Sequence, residues 1–372
     1  MRIVFTGGGT GGHLYPIAAV VRELKRIAED ERILDIQLYY LGPEREAPPM
    51  LAAEDVVSAY IPAGKIRRYA SIENFIDIAR TGWGLLVGLW RMFLIMPDVV
   101  FAKGGYGSFP TLAAARIYRL PVVAHESDAV PGRVSRWAGK WAVRVAIAFP
   151  GATAYFPQGR AALLGVPVRS RIVGGEREQA RDVLGVYSER PVVFVTGGSQ
   201  GAVLLNRTVI QILPNLLEHY EIIHQTGEKN IEDVRLETMP LTEGGGERYY
   251  HPLGSLTEEQ TRSAFALADL VVSRAGATSV YEIAANARPA ILVPIKISAQ
   301  DHQRANAYAY AGQGAAVVIE EDNLTPSLLR HEIGRLIADP ERRGRMADAA
   351  RAFARPDAAK VIARELLTIG LH

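Results

Sequence analysis

The chain has 372 residues, 48% hydrophobic and 22% charged, with 42 Lys and Arg against 40 Asp and Glu for a formal net charge of +2. That length supports two hydrophobic cores and hence two domains, and the near balance of charge argues against a nucleic-acid partner, which asks for a basic excess. No cysteine is present, so disulfides and thiolate metal sites are excluded, in keeping with a reducing compartment.

The opening run Met1-Arg2-Ile3-Val4-Phe5-Thr6 is too short for a signal-peptide core, and the chain is expected to stay in the cytoplasm. Ile3–Phe5 predicts a buried strand. It enters Gly7-Gly8-Gly9-Thr10-Gly11-Gly12-His13 and then an amphipathic helix from Pro16 to Ala28. Glycines let a backbone approach an anion closely, and a helix N-terminus offers unpaired N–H groups, so a diphosphate is the natural guest. Five glycines in six residues exceed what a tight turn needs, although a bare strand-to-helix turn is the plainer alternative. Gly7, Gly9 and Gly12 also satisfy G-x-G-x-x-G, which alone would suggest a dinucleotide. His13, where loop becomes helix, reads either as a general base or as a substrate-positioning group.

Further buried strands are expected at Gln37–Leu41, Asp98–Phe101 and Pro121–Ala124, the alternation of parallel βαβ units. Between them, Phe75 to Ile95 is apolar but interrupted by Asp77, Arg80 and Arg91, with Lys65, Arg67 and Arg68 upstream. No uncharged stretch reaches the roughly 18–20 residues that span a bilayer. Trp83 and Trp90 lie seven apart on one helix face. With Leu86, Phe93 and the basic flank, they read as a helix lying on anionic lipid; a packed core helix is the alternative.

An irregular stretch with Pro150, Pro157 and Pro167, between Phe149 and Val168, marks a linker. The pattern then restarts. Pro191–Thr196 enters a second glycine loop, Gly197-Gly198-Ser199-Gln200-Gly201, and strands follow at Leu270–Val272, Ala290–Val293 and Ala316–Ile319. Ser273-Arg274-Ala275-Gly276-Ala277-Thr278 leads from one of these into a helix carrying Glu282. This is another anion-friendly helix start, and a carboxylate at that depth suits the two hydroxyls of a ribose; a first-turn acid favoured by the helix dipole is the simpler reading. The tail from Arg342 to Leu367 repeats Ala, Arg and Leu at helical spacing.

Seven stretches in order carry a resemblance: GGGTGGHLYP at 7–16, GGYGSFP at 104–110, HESDAVPGRVSR at 125–136, GVPVR at 165–169, TGGSQGA at 196–202, SRAGATSVYEIA at 273–284 and DHQRANA at 301–307. Together they resemble glycosyltransferase family 28, and within it the N-acetylglucosamine transferases that complete the lipid-linked disaccharide-peptide of bacterial cell walls. The resemblance implies an α/β fold of two Rossmann-like doubly wound domains facing a cleft, the GT-B architecture. Residues 1–163 would take the lipid acceptor and touch the membrane, 164–340 would bind the UDP-sugar, and helices in 341–372 would return to the first domain.

The same resemblance implies the site. On the donor side, Glu282 would hold the ribose, and Ser199, Gln200 and Gly201 the diphosphate. Arg169 would stand near that diphosphate, where a permanent guanidinium charge suits phosphate oxygens. Ala277 would offer a backbone N–H to the sugar and Gln303 would read its hydroxyls; Thr10, Gly11, Gly12, Asp128 and Arg274 complete that set. Gly8, Gly9, His13, Tyr106 and His125 would line the acceptor side. His13 would be the base, with Glu126 and Asp128 the next candidates. Two departures are visible. Asp128 replaces a common Asn and can only accept hydrogen bonds. Leu253-Gly254-Ser255-Leu256-Thr257 offers no phenylalanine to stack on uracil.

The implied reaction is inverting transfer of N-acetylglucosamine from UDP-GlcNAc to an undecaprenyl-diphosphate-linked muramyl peptide, on the cytoplasmic face of the membrane. Anionic lipid and cell-wall synthesis or division proteins are the other expected partners. No cofactor and no metal are expected, since H-E-x-x-H is absent and His125-Glu126 and Asp301-His302 are not closed ligand sets. The rival readings are a UDP-sugar 2-epimerase, a transferase using a diacylglycerol acceptor, a non-catalytic UDP-sugar-binding protein and a nicotinamide-dependent oxidoreductase. The last leaves the second loop, Arg274 and Glu282 unexplained.

Overall fold

The computed structural model of the chain describes residues 1–8, 11–33, 35–65, 72–198, 201–296 and 301–371. The chain forms two compact units. One is Met1–Arg169 joined by Arg355–His372; the other is Ser170–Ala354.

In the first unit, the strands are β1 (Arg2–Thr6), β2 (Gln37–Gly42), β3 (Val57–Tyr60), β4 (Val99–Ala102), β5 (Val122–Glu126), β6 (Arg144–Ile147) and β7 (Ala161–Leu163). They form a parallel sheet in the order β3-β2-β1-β4-β5-β6-β7. Side chains alternate across it. Ile3 and Phe5 join a core that includes Leu24, Tyr40 and Phe101. Val4 points to the other face, with Leu41, Val100 and Ile147. The helix Ala358–Gly370 seats Ile362 and Leu366 in the first of these cores, beside the helix Gly11–Asp30. The chain crosses back at Arg355 rather than at 341, because the helix Pro340–Phe353 packs within the second unit, where Met346 joins the core and Phe353 meets Tyr281 at a tilt and Tyr310 edge-on.

The second unit contains β8 (Val192–Thr196), β9 (Glu221–Gln225), β10 (Tyr250–Leu253), β11 (Leu270–Ser273), β12 (Ala290–Leu292) and β13 (Ala316–Val318), parallel in the order β10-β9-β8-β11-β12-β13. Each sheet therefore reverses its winding once, between β1 and β4 and between β8 and β11. In open α/β sheets such a switch point, at the carboxyl ends of the strands, is where ligands bind.

Glu221 opens β9 with its carboxylate fully buried; it accepts hydrogen bonds from Ser188 Oγ and from His251 Nε2 at 2.7 Å. Burial pushes its pKa up, but these two bonds outweigh burial and hold the carboxyl below the ordinary range. A depressed folded pKa stabilises the fold fully above the unfolded carboxylate value, about 4.3, and that stabilisation is lost as pH falls through the folded value. Glu221→Gln is therefore expected to cost about 1.5–3 kcal/mol at pH 7. Thermal unfolding should show the gap to the unsubstituted chain closing as the pH is lowered below 4.

Candidate active site

The first switch point is built from the ends of β1 and β4. Thr6 Oγ1 donates to the Leu41 carbonyl (2.7 Å), and Lys103 N–H, just past β4, donates to the Thr6 carbonyl (2.8 Å). Gly7 and Gly8 follow β1; Gly9 and Thr10, both expected in the site, lie outside the described residues. The helix then starts at Gly11, so Gly11 and Gly12 occupy its first turn.

His13 packs its ring against two glycines, Gly8 and Gly105, that also lie close to each other. A Cβ on Gly8 would come within 3.3 Å of the imidazole Nε2, and one on Gly105 (φ +83°) within 3.1 Å of Cε1. Only glycine leaves room for the ring there. His13 Nδ1 is 3.3 Å from the Lys103 carbonyl. A carbonyl can only accept, so this contact makes Nδ1 the N–H and puts the lone pair on Nε2. Tyr106 follows Gly105 in a short turn and is 40% exposed.

β5 ends in His125-Glu126, and the structure buries both. His125 Nε2 donates to the Gly165 carbonyl at 2.8 Å, and burial, helped by Lys103, holds its pKa well below the ordinary value. It is a buried, neutral brace for the 165 turn. Glu126 accepts the backbone N–H of Asp128 (2.9 Å) and of Gly132 (3.1 Å), so both of its oxygens shape the turn. Burial and the Asp128 charge push its pKa up. Asp128 itself is half-buried. Sequence reasoning missed Lys103. It is 3% exposed, with Nζ on Ser127 Oγ, and burial lowers its pKa to about 8 against the pull of Glu126 and Asp128. Arg169, buried at the end of this unit, lays its guanidinium over the Tyr15 ring at 4.0 Å.

The second switch point repeats this plan. Thr196 Oγ1, at the end of β8, donates to Gln225 Oε1 (2.6 Å) and accepts from Gly198 N–H (3.1 Å). Ser199 and Gln200 lie outside the described residues. Gly201 has φ +74°, and a Cβ there would sit 2.1 Å from the Thr226 carbonyl oxygen. Asn206 and Asn230 each donate to that same carbonyl at 2.9 Å. Beneath them His224 bridges Asn206 and Tyr250; burial brings its pKa down to about 3, so it stays neutral.

Past β11, Arg274 N–H donates to the Thr196 carbonyl (3.3 Å), the counterpart of Lys103 on Thr6. Its guanidinium is buried and gives its donors to the Val293 carbonyl (3.1 Å) and Glu321 (2.7 Å). Glu321 in turn accepts Lys296 N–H (2.9 Å). Arg274 thus braces the loop after β12. The helix Ala277–Ala285 begins with a buried Ala277 and carries a half-buried Glu282 one turn in. Gln303 Oε1 accepts Ile295 N–H (3.2 Å), and the fully buried Asn306 reaches the Ala275 carbonyl (3.3 Å). In the 253–257 segment, Thr257 caps the helix Glu258–Leu267 in a reciprocal box with Gln260,. Among the described residues no group of three or more His, Asp or Glu could hold a metal ion.

Residues 3–147 match the glycosyltransferase family 28 N-terminal domain, and residues 192–362 match the family 28 C-terminal domain. The UDP-N-acetylglucosamine–N-acetylmuramyl-(pentapeptide) pyrophosphoryl-undecaprenol N-acetylglucosamine transferase of Lachnospira eligens is 33% identical over 340 residues, 91% of each chain. The chain belongs to glycosyltransferase family 28. The transferase of the same name from Treponema denticola is 33% identical over 381 residues, 97% of this chain and 96% of its own. Among solved structures, Acinetobacter baumannii MurG superposes with a TM-score of 0.72 at 26% identity, covering 99% of both chains. A Neisseria meningitidis UDP-GlcNAc 2-epimerase bound to UDP-GlcNAc gives 0.68 at 13% identity, over 99% of this chain and 100% of that one. At that identity the likeness is one of fold alone. The two doubly wound domains are those of a family 28 glycosyltransferase with the GT-B fold. Family membership also removes the nicotinamide-dependent oxidoreductase.

Proposed function

We propose that this chain transfers N-acetylglucosamine from UDP-GlcNAc to the 4-hydroxyl of the muramyl sugar in an undecaprenyl-diphosphate-linked muramyl peptide. The observation that carries this reading is full-length relationship: transferases of this one activity match 91–97% of the chain at 33% identity. The second unit would hold the donor. Its helix start at Ala277 presents backbone N–H groups suited to a diphosphate,. Glu282 would accept the ribose hydroxyls and Gln303 the sugar hydroxyls. The first unit would hold the acceptor, with its diphosphate at the first glycine loop.

In the transfer, the acceptor O–H proton passes to His13 Nε2 as the oxygen bonds to the anomeric carbon. The bond from that carbon to the UDP oxygen breaks on the opposite face, and UDP leaves with the electron pair. An α-linked donor thus gives a β-linked product. The enzyme would work at the cytoplasmic face of the membrane as a peripheral protein, alongside cell-wall synthesis or division proteins.

The test is labelled UDP-GlcNAc incubated with and without a short-chain lipid-diphosphate-muramyl peptide. Label should reach lipid only when acceptor is present, in the β configuration. Conversion of the donor alone would instead reveal a 2-epimerase, the reading that the shared fold keeps in play. Glu282→Ala should raise the KM for UDP-GlcNAc about 10- to 100-fold, the loss of a charge-assisted hydrogen bond, with a smaller change in kcat. An unchanged KM would place the ribose elsewhere.

A further inference from the structure

We propose that Lys103 is a positioning residue for this transfer, its buried ammonium seated on Ser127 between Glu126 and Asp128 to hold the 126–132 turn while its carbonyl holds the His13 ring. The inference rests on the reaction proposed above. A lysine is rarely buried to 3% exposure without partners to offset its desolvation,. The Lys103 ammonium meets Ser127 Oγ, in the turn between two acids. The charged and titratable groups facing it are Glu126, Asp128, His125 and His13. His125 is neutral, so the balance lies between one cation and two carboxylates.

Glu126 needs its charge. Its two oxygens accept the Asp128 and Gly132 backbone N–H groups and so set the shape of 126–132. Burial and the Asp128 charge both favour its protonated form; the Asp128 N–H, the Ser135 hydroxyl and, after them, the Lys103 ammonium oppose them. Removing the ammonium leaves the buried Glu126 beside the half-buried Asp128 without that cation, and Glu126 is then the more easily protonated,. The same residue governs His13 through the backbone: Lys103 is pinned by its N–H on the Thr6 carbonyl and presents its own carbonyl to Nδ1. In the other unit the corresponding position is Arg274, also a buried cation, answered by Glu321. Both switch points thus use a buried cation as a brace.

The experiment is a cycle of Lys103→Met, Asp128→Asn and the double substitution in the full chain. Transfer is assayed against pH, and thermal unfolding is measured without substrate. Lys103→Met should lower kcat at neutral pH by about tenfold or more and move the acidic limb of the pH–rate profile up by about one unit. The KM for UDP-GlcNAc should not move. In the Asp128→Asn background the same lysine change should cost less than about threefold, because the repulsion it relieved is gone. Unfolding temperatures should follow the same cycle, a large drop for Lys103→Met alone and a small one on top of Asp128→Asn. A Lys103→Met profile that superimposes on that of the parent, or equal losses in both backgrounds, would overturn the proposal. Should Lys103→Met fail to fold alone, the comparison of the double substitution with Asp128→Asn still decides. The unfolding cycle decides even if the parent chain transfers no sugar, a result that would count against the reaction instead.

Discussion

Replacing His13 by alanine is expected to lower kcat about 10²–10⁴-fold, the usual contribution of a positioned general base, with UDP-GlcNAc binding unchanged. The imidazole packs against Gly8 and Gly105, and its Nδ1 contact with the Lys103 carbonyl leaves the lone pair on Nε2. Glu126 is a poorer base because its oxygens already hold two backbone N–H groups; Glu126→Gln should act mainly on stability. Asp128, half-buried in the same turn, is the next candidate. The check is kcat at saturating donor and acceptor. A loss of less than tenfold for His13→Ala would pass the role to Asp128.

The second large effect is expected at the membrane. Trp83, Leu86, Trp90 and Phe93 are 61, 58, 60 and 54% exposed on the helix Ile72–Ile95, at spacings that put them on one face,. Ile76, Leu94 and Met96 extend the apolar surface, and Arg80 and Arg91 are exposed beside it. The segment Ile76–Ile95 is long enough to cross a bilayer and has a mean hydropathy of 1.2. Its inner face is committed to the fold, however. A Cβ on Gly84 would lie 1.7 Å from the Pro62 carbonyl oxygen, and Gly88 packs on Pro110. A helix seated that closely keeps its place in the domain, and only its outer face is open to a membrane surface,. Full burial of a large apolar side chain is worth about 1.5–3 kcal/mol; for half-exposed groups, about 1 kcal/mol each is reasonable. Changing all four to serine should therefore weaken binding to anionic vesicles roughly 10²–10³-fold, without lowering the unfolding temperature. Vesicle flotation of the two proteins tests this. Equal flotation would show that the stripe meets no lipid.

The strands legible in the sequence were those with uninterrupted apolar runs, such as β1, β4, β8 and β11, because strands covered on both faces need them. Those without a signal had physical reasons. β3 is an edge strand, only partly buried, and β7 is three residues long. β9 begins with the buried Glu221, and β10 contains Pro252, tolerated because β10 is an edge strand,. Glycine loops and helix starts were legible because their chemistry is local. Lys103, Asn206 and Asn306 were not: each works through partners 20 or more residues away, Ser127, Thr226 and Ala275. Arg274 reads in the sequence as one of the donor-side residues, and only the fold brings Glu321 to its guanidinium.

The division of labour between the two units is tested most directly by a crystal structure of the chain with UDP bound. The ribose is expected on Glu282 and the diphosphate at the Gly201 turn and the start of the helix Ala277–Ala285. A nucleotide seated instead at the first glycine loop, beside His13, would contradict it.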